Sequence, residues 1–494
     1  MKSRALAALG ACALGAVFIA CAVVSGCVYY LSPSCTDLIH DGEETDIDCG
    51  GSCGKCDVGA RCRSNDDCDD SLCTGGSCTP FACANGKLDP GETDIDCGGP
   101  MCRKCAGNRH CVAATDCFSG SCIAGAETCS ALATVSFTAA APYASASKTY
   151  AIFAGDLDGD GDLDLVAANE TDNSVSVFLN NGAGVFTRLG APYPTGAYPT
   201  GIALADFNHD NIPDVVTADY HGNSVSVLLG AASHTGALAA QKTYPTVAGG
   251  ETSTLAVGDL NGDGKLDVIA TNPLRASFSE FLGRGDGTLA PAIDVPVGIT
   301  SAAQPYSAAI GDFDGNGAND VAIADVTSRA IIVRLGNGDG TFQPEVPYAD
   351  KGEGAYILIA RDVNLDGKLD LVCANRGSDN VTVLLGRGDG TFRKAIVSTT
   401  GKLTGPYSIA VADFNQDGVP DVVTANFMTG NATVLLGVGD GSFEAPIDAG
   451  PTSSGTGRFS YGVAAGDFNG DGKPDIAVAN PDDANIVVKL STAH

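Results

Sequence analysis

Seven nine-residue segments of the chain carry acidic residues at alternate positions. Each has Asp or Asn at positions three and five and Asp at positions one and nine; the segments start at Asp156, Asp206, Asp259, Asp312, Asp362, Asp413 and Asp467. Carboxylates crowded in this way repel one another unless a cation lies between them. Ca²⁺ prefers several oxygen ligands in flexible geometry. The pattern therefore predicts up to seven calcium sites, structural rather than catalytic, and we call these segments the acidic loops.

The predicted ligands occupy the same positions in each acidic loop. Positions one, three, five and nine offer side chains, position seven offers its carbonyl, and glycine at position six permits a sharp bend. In the first loop the predicted ligands are Asp156, Asp158, Asp160, Asp162 and Asp164. In the other six they are Asp206, Asn208, Asp210, Asp214, Asp259, Asn261, Asp263, Lys265, Asp267, Asp312, Asp314, Asn316, Asp320, Asp362, Asn364, Asp366, Lys368, Asp370, Asp413, Asn415, Asp417, Val419, Asp421, Asp467, Asn469, Asp471, Lys473 and Asp475.

Two loops depart from the common pattern, and two alternatives to calcium exist. Asn211 replaces the usual glycine in the second loop and Asn316 replaces an aspartate in the fourth, so we expect weaker sites there. Magnesium fits less well because it demands octahedral geometry and retains its waters. The other alternative is that the loops are acidic turns without a metal.

The acidic loops belong to a longer repeat. Their starts are separated by 50, 53, 53, 50, 51 and 54 residues. Short runs rich in Val, Ile and Ala flank each loop, such as 407–412 and 421–426, and predict the two strands of a hairpin. A third strand (380–385) and a glycine turn (386–390) follow, leading to a fourth strand near Thr391. Four strands in about fifty residues indicate one blade of a β-propeller.

The two ends of the repeat region complement each other. The seventh copy stops at 486–490 without the glycine turn and the fourth strand, whereas 134–138 before the first copy has the sequence of a fourth strand. Pairing these segments would close the ring and leave no sheet edge exposed. The predicted fold of residues 130–494 is thus all-β, a seven-bladed β-propeller closed by its N-terminal strand.

These repeats resemble the FG-GAP or VCBS repeats, the blade unit of integrin α-subunits and of many bacterial extracellular proteins. The resemblance implies calcium at the lower face of the propeller and a ligand at the upper face. Six residues before the loop, five copies carry a tyrosine that would start the innermost strand at its upper end. These candidate ligand-binding residues, suited to a polar or glycan ligand, are Tyr150, Tyr306, Tyr356, Tyr407 and Tyr461. The alternative is that they pack the central channel.

The N-terminal residues predict export. Lys2 and Arg4 precede an apolar run, and residues 24–27, Val-Ser-Gly-Cys, resemble a bacterial lipobox. The resemblance implies a signal peptide at 1–26, acylation of Cys27 and a tether at 27–34. The alternative is an uncleaved membrane anchor. Either places the remainder outside the cytoplasm, on a bacterial cell surface or outer membrane, with membrane contact through the lipid only.

Sixteen of the 20 cysteines form two similar copies of eight, at 35–82 and 83–129. Each copy has too few large apolar side chains for a core, so we expect small disulfide-rich repeats with eight disulfides in all, their pairing open. The alternative is zinc bound at Cys53 and Cys56 and at Cys102 and Cys105. The copies resemble cysteine-rich tandem repeats of bacterial surface proteins, which we interpret as a spacer.

Charge and motif content narrow the function. The net charge of −31 argues against nucleic acid as a partner, since such binding needs a basic patch. The six histidines are scattered, and no nucleophile elbow or zinc-hydrolase motif occurs, so we expect no enzyme. The predicted function is binding or adhesion, with an extracellular protein or polysaccharide as partner. The alternatives are a polysaccharide hydrolase or lyase, or a lectin, which the absence of tryptophan disfavours.

Three further features are assigned structural roles. Arg284–Asp286 and Arg387–Asp389 read Arg-Gly-Asp, but both lie in the glycine turn of the repeat, so integrin recognition is not expected. Cys373 stands in an apolar strand and is predicted to be a buried small side chain rather than a nucleophile.

Overall fold

The computed structural model of the protein describes residues 71–74, 77–80, 110–113, 122–123, 127–129, 135–139, 142–298, 303–452 and 459–492. The chain divides into two units, residues 1–131 and 132–494. The predicted signal peptide, Cys27, the tether and the proposed zinc-type cysteine pairs lie outside the described residues. Within the described part of the chain, no helix is long and apolar enough to cross a bilayer.

The first unit contains one corresponding hairpin from each cysteine-rich copy. Strands β1 (Ser71–Thr74) and β2 (Ser77–Pro80) place Cys73 opposite Cys78. Strands β3 (Cys122–Ile123) and β4 (Thr128–Cys129) place Cys122 opposite Cys129 in the same way. One disulfide, Cys111–Cys122, is present among the described residues. Both copies thus end in the same local structure, as expected for a duplication.

The second unit is a ring of seven antiparallel sheets, which confirms the predicted seven-bladed propeller. Two short strands, β5 (Phe137–Ala139) and β6 (Tyr143–Ala144), precede the first blade. The strands of blades 1 to 7 run in chain order from the central channel outwards: β7 (Thr149–Gly155), β8 (Asp164–Asn169), β9 (Ser174–Leu179), β10 (Thr187–Arg188), β11 (Tyr193–Pro194); β12 (Pro199–Ala205), β13 (Asp214–Asp219), β14 (Ser224–Leu228), β15 (Lys242–Pro245); β16 (Leu255–Gly258), β17 (Asp267–Asn272), β18 (Ser277–Phe281), β19 (Ile293–Pro296); β20 (Pro305–Gly311), β21 (Asp320–Asp325), β22 (Ala330–Arg334), β23 (Val346–Ala349); β24 (Ala355–Arg361), β25 (Asp370–Asn375), β26 (Asn380–Leu384), β27 (Ile396–Thr399); β28 (Pro406–Ala412), β29 (Asp421–Asn426), β30 (Asn431–Leu435), β31 (Ile447–Pro451); β32 (Val463–Gly466), β33 (Asp475–Asn480), β34 (Asn485–Ser491). A single short 3-10 helix, Pro273–Arg275, interrupts the described strands in blade 3.

The core lies between neighbouring blades. Every residue of the second strand in each blade is buried, because both faces of that strand pack against another sheet. Between blades 4 and 5, for example, Phe313, Ile331 and Val333 pack with Leu371 and Phe392. Val, Ile and Leu suit these positions because β-branched and apolar side chains fill a pleated interface well. Cys373 is buried within β25 in this cluster, as predicted.

The ring closes through the N-terminal strands. β34 of blade 7 pairs antiparallel with β5 and β6, so that Leu490 lies opposite Thr138. Thr492 donates its backbone N–H to the Ser136 carbonyl at 2.7 Å. These bonds confirm that the N-terminal segment supplies the missing fourth strand.

The fourth strand of the blades begins later than predicted. In blade 5 the prediction placed its start near Thr391, whereas β27 starts at Ile396. Phe392 instead forms an isolated bridge to Gly386, which closes the glycine turn, and packs edge-to-face on Phe313 at 5.5 Å. Phe392 therefore packs in the core as part of the turn, and the outer strand begins after it.

Candidate functional site: the acidic loops and the upper face

Each acidic loop connects the first and second strands of a blade, and we call this end of the propeller lower. In all seven loops the aspartate at position one accepts the backbone N–H of position six, at 2.7 to 3.0 Å. The side chain at position three accepts the N–H of position five, at 2.9 to 3.3 Å. Position five accepts the N–H of position seven, at 2.6 to 3.0 Å. The alternating Asp and Asn residues therefore fold each loop around its own side-chain oxygens.

The loops need a left-handed backbone at two positions, although the sequence pattern indicated one. Position six has φ of +64° at Asn211, which therefore takes the conformation that glycine has in the other loops. Position four is also left-handed, and three loops place a side chain there: His209, Leu365 and Gln416. The Asn211 departure thus leaves the loop conformation intact, and weaker binding in the second loop stays a prediction.

The ninth aspartate has a structural role that the sequence analysis missed. Asp164 is fully buried; one carboxylate oxygen accepts the N–H of Leu157 at 2.9 Å and the other that of Asn180 at 2.8 Å. The same pair of bonds recurs in every blade, to position two and to the residue sixteen further on. Position nine thus fastens the loop to the end of the third strand. The sequence does contain a signal for this role, because Gly, Asn or Ser recurs sixteen residues after the ninth aspartate in every blade.

Burial controls the protonation of these ninth aspartates. Removal from water raises the pKa of Asp164, Asp214 and Asp320 to about 6, although their backbone hydrogen bonds oppose the shift. The pKa values of Asp370 and Asp475 also rise to about 6, that of Asp421 to about 7, and that of Asp267 rises as well. Charge from the other aspartates of the loop adds to the increase. A bound cation would favour the ionised form.

The donor set of the loops fits calcium. In the first loop, carboxylate oxygens of Asp156, Asp158 and Asp164 all lie within 4.8 Å of one another, and those of Asp312, Asp314 and Asp320 do so in the fourth. Oxygens that share one Ca²⁺ at 2.3 to 2.6 Å are separated by distances of this order. These two loops have aspartate at position three, whereas the other five have asparagine, which offers an amide oxygen. When bound, the cation would neutralise the clustered carboxylates.

Three of the side chains at position seven are lysines, and one of them, Lys265, forms an ion pair within its own loop. The Lys265 ammonium lies 2.9 Å from the Asp263 carboxylate and lowers the pKa of that group. This pair reduces the charge that the third loop presents to a cation.

The five predicted tyrosines come together at the upper end of the channel. Ring centroids are 4.8 Å apart for Tyr306 and Tyr356, Tyr356 and Tyr407, and Tyr407 and Tyr461, and 4.5 Å for Tyr461 and Tyr150. The Tyr150 and Tyr407 hydroxyls hydrogen bond to each other, and burial raises the pKa of both. The rings pack on one another across the channel mouth rather than forming an open circle. Below them lies a cavity of about 610 Å³ lined by the innermost strands.

Three residues of the upper mouth were not predicted: Arg376, Phe427 and Phe459. The Arg376 guanidinium lies 3.9 Å from the Phe427 ring centroid and donates to the Tyr356 hydroxyl at 3.2 Å. Phe459 stacks on Phe427 at 4.4 Å. Each occurs in one blade only, so the repeat pattern contains no signal for them. Together with the five tyrosines they form what we call the upper-face cluster.

The side chains of the two Arg-Gly-Asp turns form hydrogen bonds within the protein. Arg284 donates to the Leu289 carbonyl at 2.6 Å, and Arg387 donates to the Phe392 carbonyl at 3.0 Å. Asp286 accepts the hydroxyl and the N–H of Thr288. The two turns are held by their own side chains, in agreement with a structural role.

Comparison with known proteins identifies the repeat. The FG-GAP-like repeat model matches residues 156–217, 210–270, 362–424 and 420–478. These stretches contain every acidic loop except the fourth, which shares their hydrogen bonds. The chain therefore carries FG-GAP-like repeats. No curated protein matches the chain.

Solved structures similar to this chain include a lectin and a lyase. An Agrocybe aegerita lectin that recognises non-reducing terminal N-acetylglucosamine is 21% identical, with 68% of this chain and 87% of that chain covered and a TM-score of 0.45. Virginiamycin B lyase from Staphylococcus aureus is 12% identical, with 72% of this chain and 99% of that chain covered and a TM-score of 0.48.

Proposed function

We propose that this propeller of FG-GAP-like repeats is a calcium-stabilised extracellular binding module, displayed on a bacterial surface by a lipid on Cys27. The observation that carries the proposal is the division of the propeller into two ends. The lower end repeats one acidic loop seven times with the same hydrogen bonds, as expected of a structural metal site. The upper end bears a cluster that occurs once, as expected of a surface selected for a partner.

The upper-face cluster supports binding rather than catalysis. Its titratable members are tyrosines and Arg376, and burial raises the pKa of Tyr150, Tyr407 and Tyr461. A neutral phenol in an aromatic environment is a poor general base near neutral pH. Large rigid aromatic side chains beside an arginine are instead typical of the centre of a binding surface.

Binding is tested with the protein carrying Cys27→Ser, which we expect to be released from membranes because it has no lipid attachment site. The released protein is applied in millimolar calcium to a glycan array and to surface proteins of candidate host or neighbour cells. We expect saturable binding that a variant with Tyr356→Ala and Phe427→Ala loses. Turnover of a polysaccharide without binding to proteins or glycans would favour the hydrolase or lyase alternative instead.

A further inference from the structure

An arginine without a carboxylate partner lies at the edge of the upper mouth. Arg376 stands in the turn between β25 and β26 and is half-buried against Phe427 and Tyr356. Among the described residues, no carboxylate lies within salt-bridge distance of its guanidinium. The guanidinium instead contacts the Phe427 ring and the Tyr356 hydroxyl. Its charge is therefore free to meet a carboxylate from another molecule.

The acidic residues on the adjacent turns are bound elsewhere. Glu353 pairs with Arg329 at 2.8 Å. Asp379, in the same turn as Arg376, accepts the backbone N–H groups of Leu403 and Gly405, each at 2.8 Å. These contacts fix the surrounding loops and hold both carboxylates in other bonds.

Two aliphatic side chains are exposed beside this cation. Leu403 is 72% exposed and Met428 is 50% exposed. The Met428 N–H donates to the Thr404 carbonyl at 2.9 Å, and a Cβ added at Gly405 would lie 2.7 Å from Met428 Cγ. The two loops therefore form one surface, which joins Arg376 through Phe427. Exposed aliphatic groups next to a charge are typical of a surface that a protein partner covers.

The aromatic rings at this place are less suited to a sugar. Stacking of a sugar needs an open ring face. The Phe427 ring already contacts the Arg376 guanidinium at 3.9 Å and stacks on Phe459 at 4.4 Å. Tyr407 is only 7% exposed. What the surface offers to a partner is the guanidinium and the aliphatic side chains, which favours a peptide.

We propose that Arg376, Leu403 and Met428 form the binding surface for an acidic peptide segment of a partner protein. An Asp or Glu carboxylate of the segment pairs with Arg376, and a large apolar side chain beside it covers Leu403 and Met428. The arginine is preorganised by Phe427 and Tyr356, so little freedom is lost on binding. The proposal rests on the proposed function, since it assigns a ligand class to the same upper face.

A random peptide library displayed against the full protein in calcium tests the proposal. We expect enrichment of segments in which Asp or Glu stands next to Leu, Ile or Phe. Changing that acidic residue to its amide, or Arg376→Gln in the protein, should weaken binding at least about tenfold, because each removes a charge-assisted bond. Arg376→Lys should give a smaller loss. The matched control is Arg275→Gln, in the corresponding turn of blade 3, which should not change affinity.

The outcomes separate this inference from the proposed function. Enriched peptides without an acidic residue, or affinity unaltered by Arg376→Gln, overturn the inference while binding remains. If no peptide is enriched but the protein binds on the glycan array, the inference is overturned and the proposed function stands. The same holds if the protein binds oligogalacturonate and Arg376→Gln abolishes that binding. Failure of every binding assay overturns both. If Arg376→Gln unfolds, Leu403→Ser, whose side chain is largely exposed, must show the loss of peptide affinity instead.

Discussion

At the scale of single residues, the ninth position of each acidic loop combines a role in folding with its predicted role as a metal ligand. The buried carboxylate of Asp164 holds two backbone N–H groups, whereas Asp160 is exposed and holds only a neighbouring N–H. The sequence alone marks both residues only as predicted ligands of one cation. The structure assigns them different partners, so their replacement should have different consequences.

We expect Asp164→Ala to lower the free energy of unfolding by about 2 kcal/mol in EGTA, because the N–H groups of Leu157 and Asn180 lose their acceptor. The loss should be larger in calcium, where a predicted metal ligand is removed as well. Asp160→Ala should lower stability in calcium only. Urea unfolding of both variants in the two buffers measures this. Equal stability of Asp164→Ala and wild type in EGTA would contradict the role of the ninth position.

A second buried carboxylate, away from the acidic loops, gives a pH dependence. Asp219 ends β13 and accepts the hydroxyls of Thr217, Ser224 and Ser226. Burial raises its pKa from 3.8 to about 6. The folded protein therefore binds this proton more tightly than the unfolded chain, and the associated stability is lost as pH rises from about 4 through 6. Asn169 and Asn375, at corresponding positions, donate to hydroxyls instead.

Asp219→Asn should remove this pH dependence. The free energy of unfolding of the variant minus that of wild type is expected to increase between pH 4 and pH 7, by up to about 3 kcal/mol. The acidic loops titrate in the same range, but they are present in both proteins and cancel in the difference. Denaturant unfolding across this range provides the values, and a difference independent of pH would show that Asp219 is not perturbed.

At the scale of elements, the short N-terminal strand joins the ends of the ring. β5 contributes backbone bonds to β34, and Phe137 packs edge-to-face on Phe414 with centroids 5.9 Å apart. Phe137 also belongs to the apolar cluster between blades 6 and 7. Phe137, near the start of the propeller, thus contacts blades 6 and 7 at its C-terminal end.

Phe137→Ala should destabilise the propeller by about 2 kcal/mol, because it removes a packed ring from the closing blade. Phe153→Ala is the matched control: the Phe153 side chain lies in the wall of the central channel and is 41% exposed, so we expect a much smaller loss. Thermal unfolding compares the two. Equal losses of stability in the two variants would mean that the Phe137 side chain in the closing strand contributes no more than an exposed phenylalanine of the channel wall.

The repeat allowed most of the fold to be predicted from the sequence, and the same property limited the prediction of the site. The blade count and the acidic loops could be predicted because they recur seven times. The closing strand could be predicted because the seventh copy of the repeat lacks its fourth strand. The start of β27 at Ile396 was misplaced because Thr391 and Phe392 combine a turn with a strand-like composition. Arg376, Phe427 and Phe459 come from loops of different length in different blades, so their proximity is set by the ring and not by local spacing.

At the scale of the whole molecule, charge couples the fold to calcium. The chain carries a net charge of −31, and the acidic loops concentrate carboxylates at the lower end. Self-repulsion of this kind destabilises a compact state. If each site has a dissociation constant near 10⁻⁴ M, millimolar calcium adds about 1.4 kcal/mol per site, or roughly 10 kcal/mol for seven. That sum is comparable with the total stability of a domain, so calcium would decide whether the upper face is assembled.

The most direct test of the account is a calcium titration followed by both bound stoichiometry and unfolding temperature, with magnesium as the control cation. We predict up to seven calcium ions per chain, a large rise in melting temperature from EGTA to millimolar calcium, and a much weaker effect of magnesium. Absence of bound calcium, together with the same melting temperature in EGTA and in calcium, would contradict the central claim that the acidic loops are structural calcium sites.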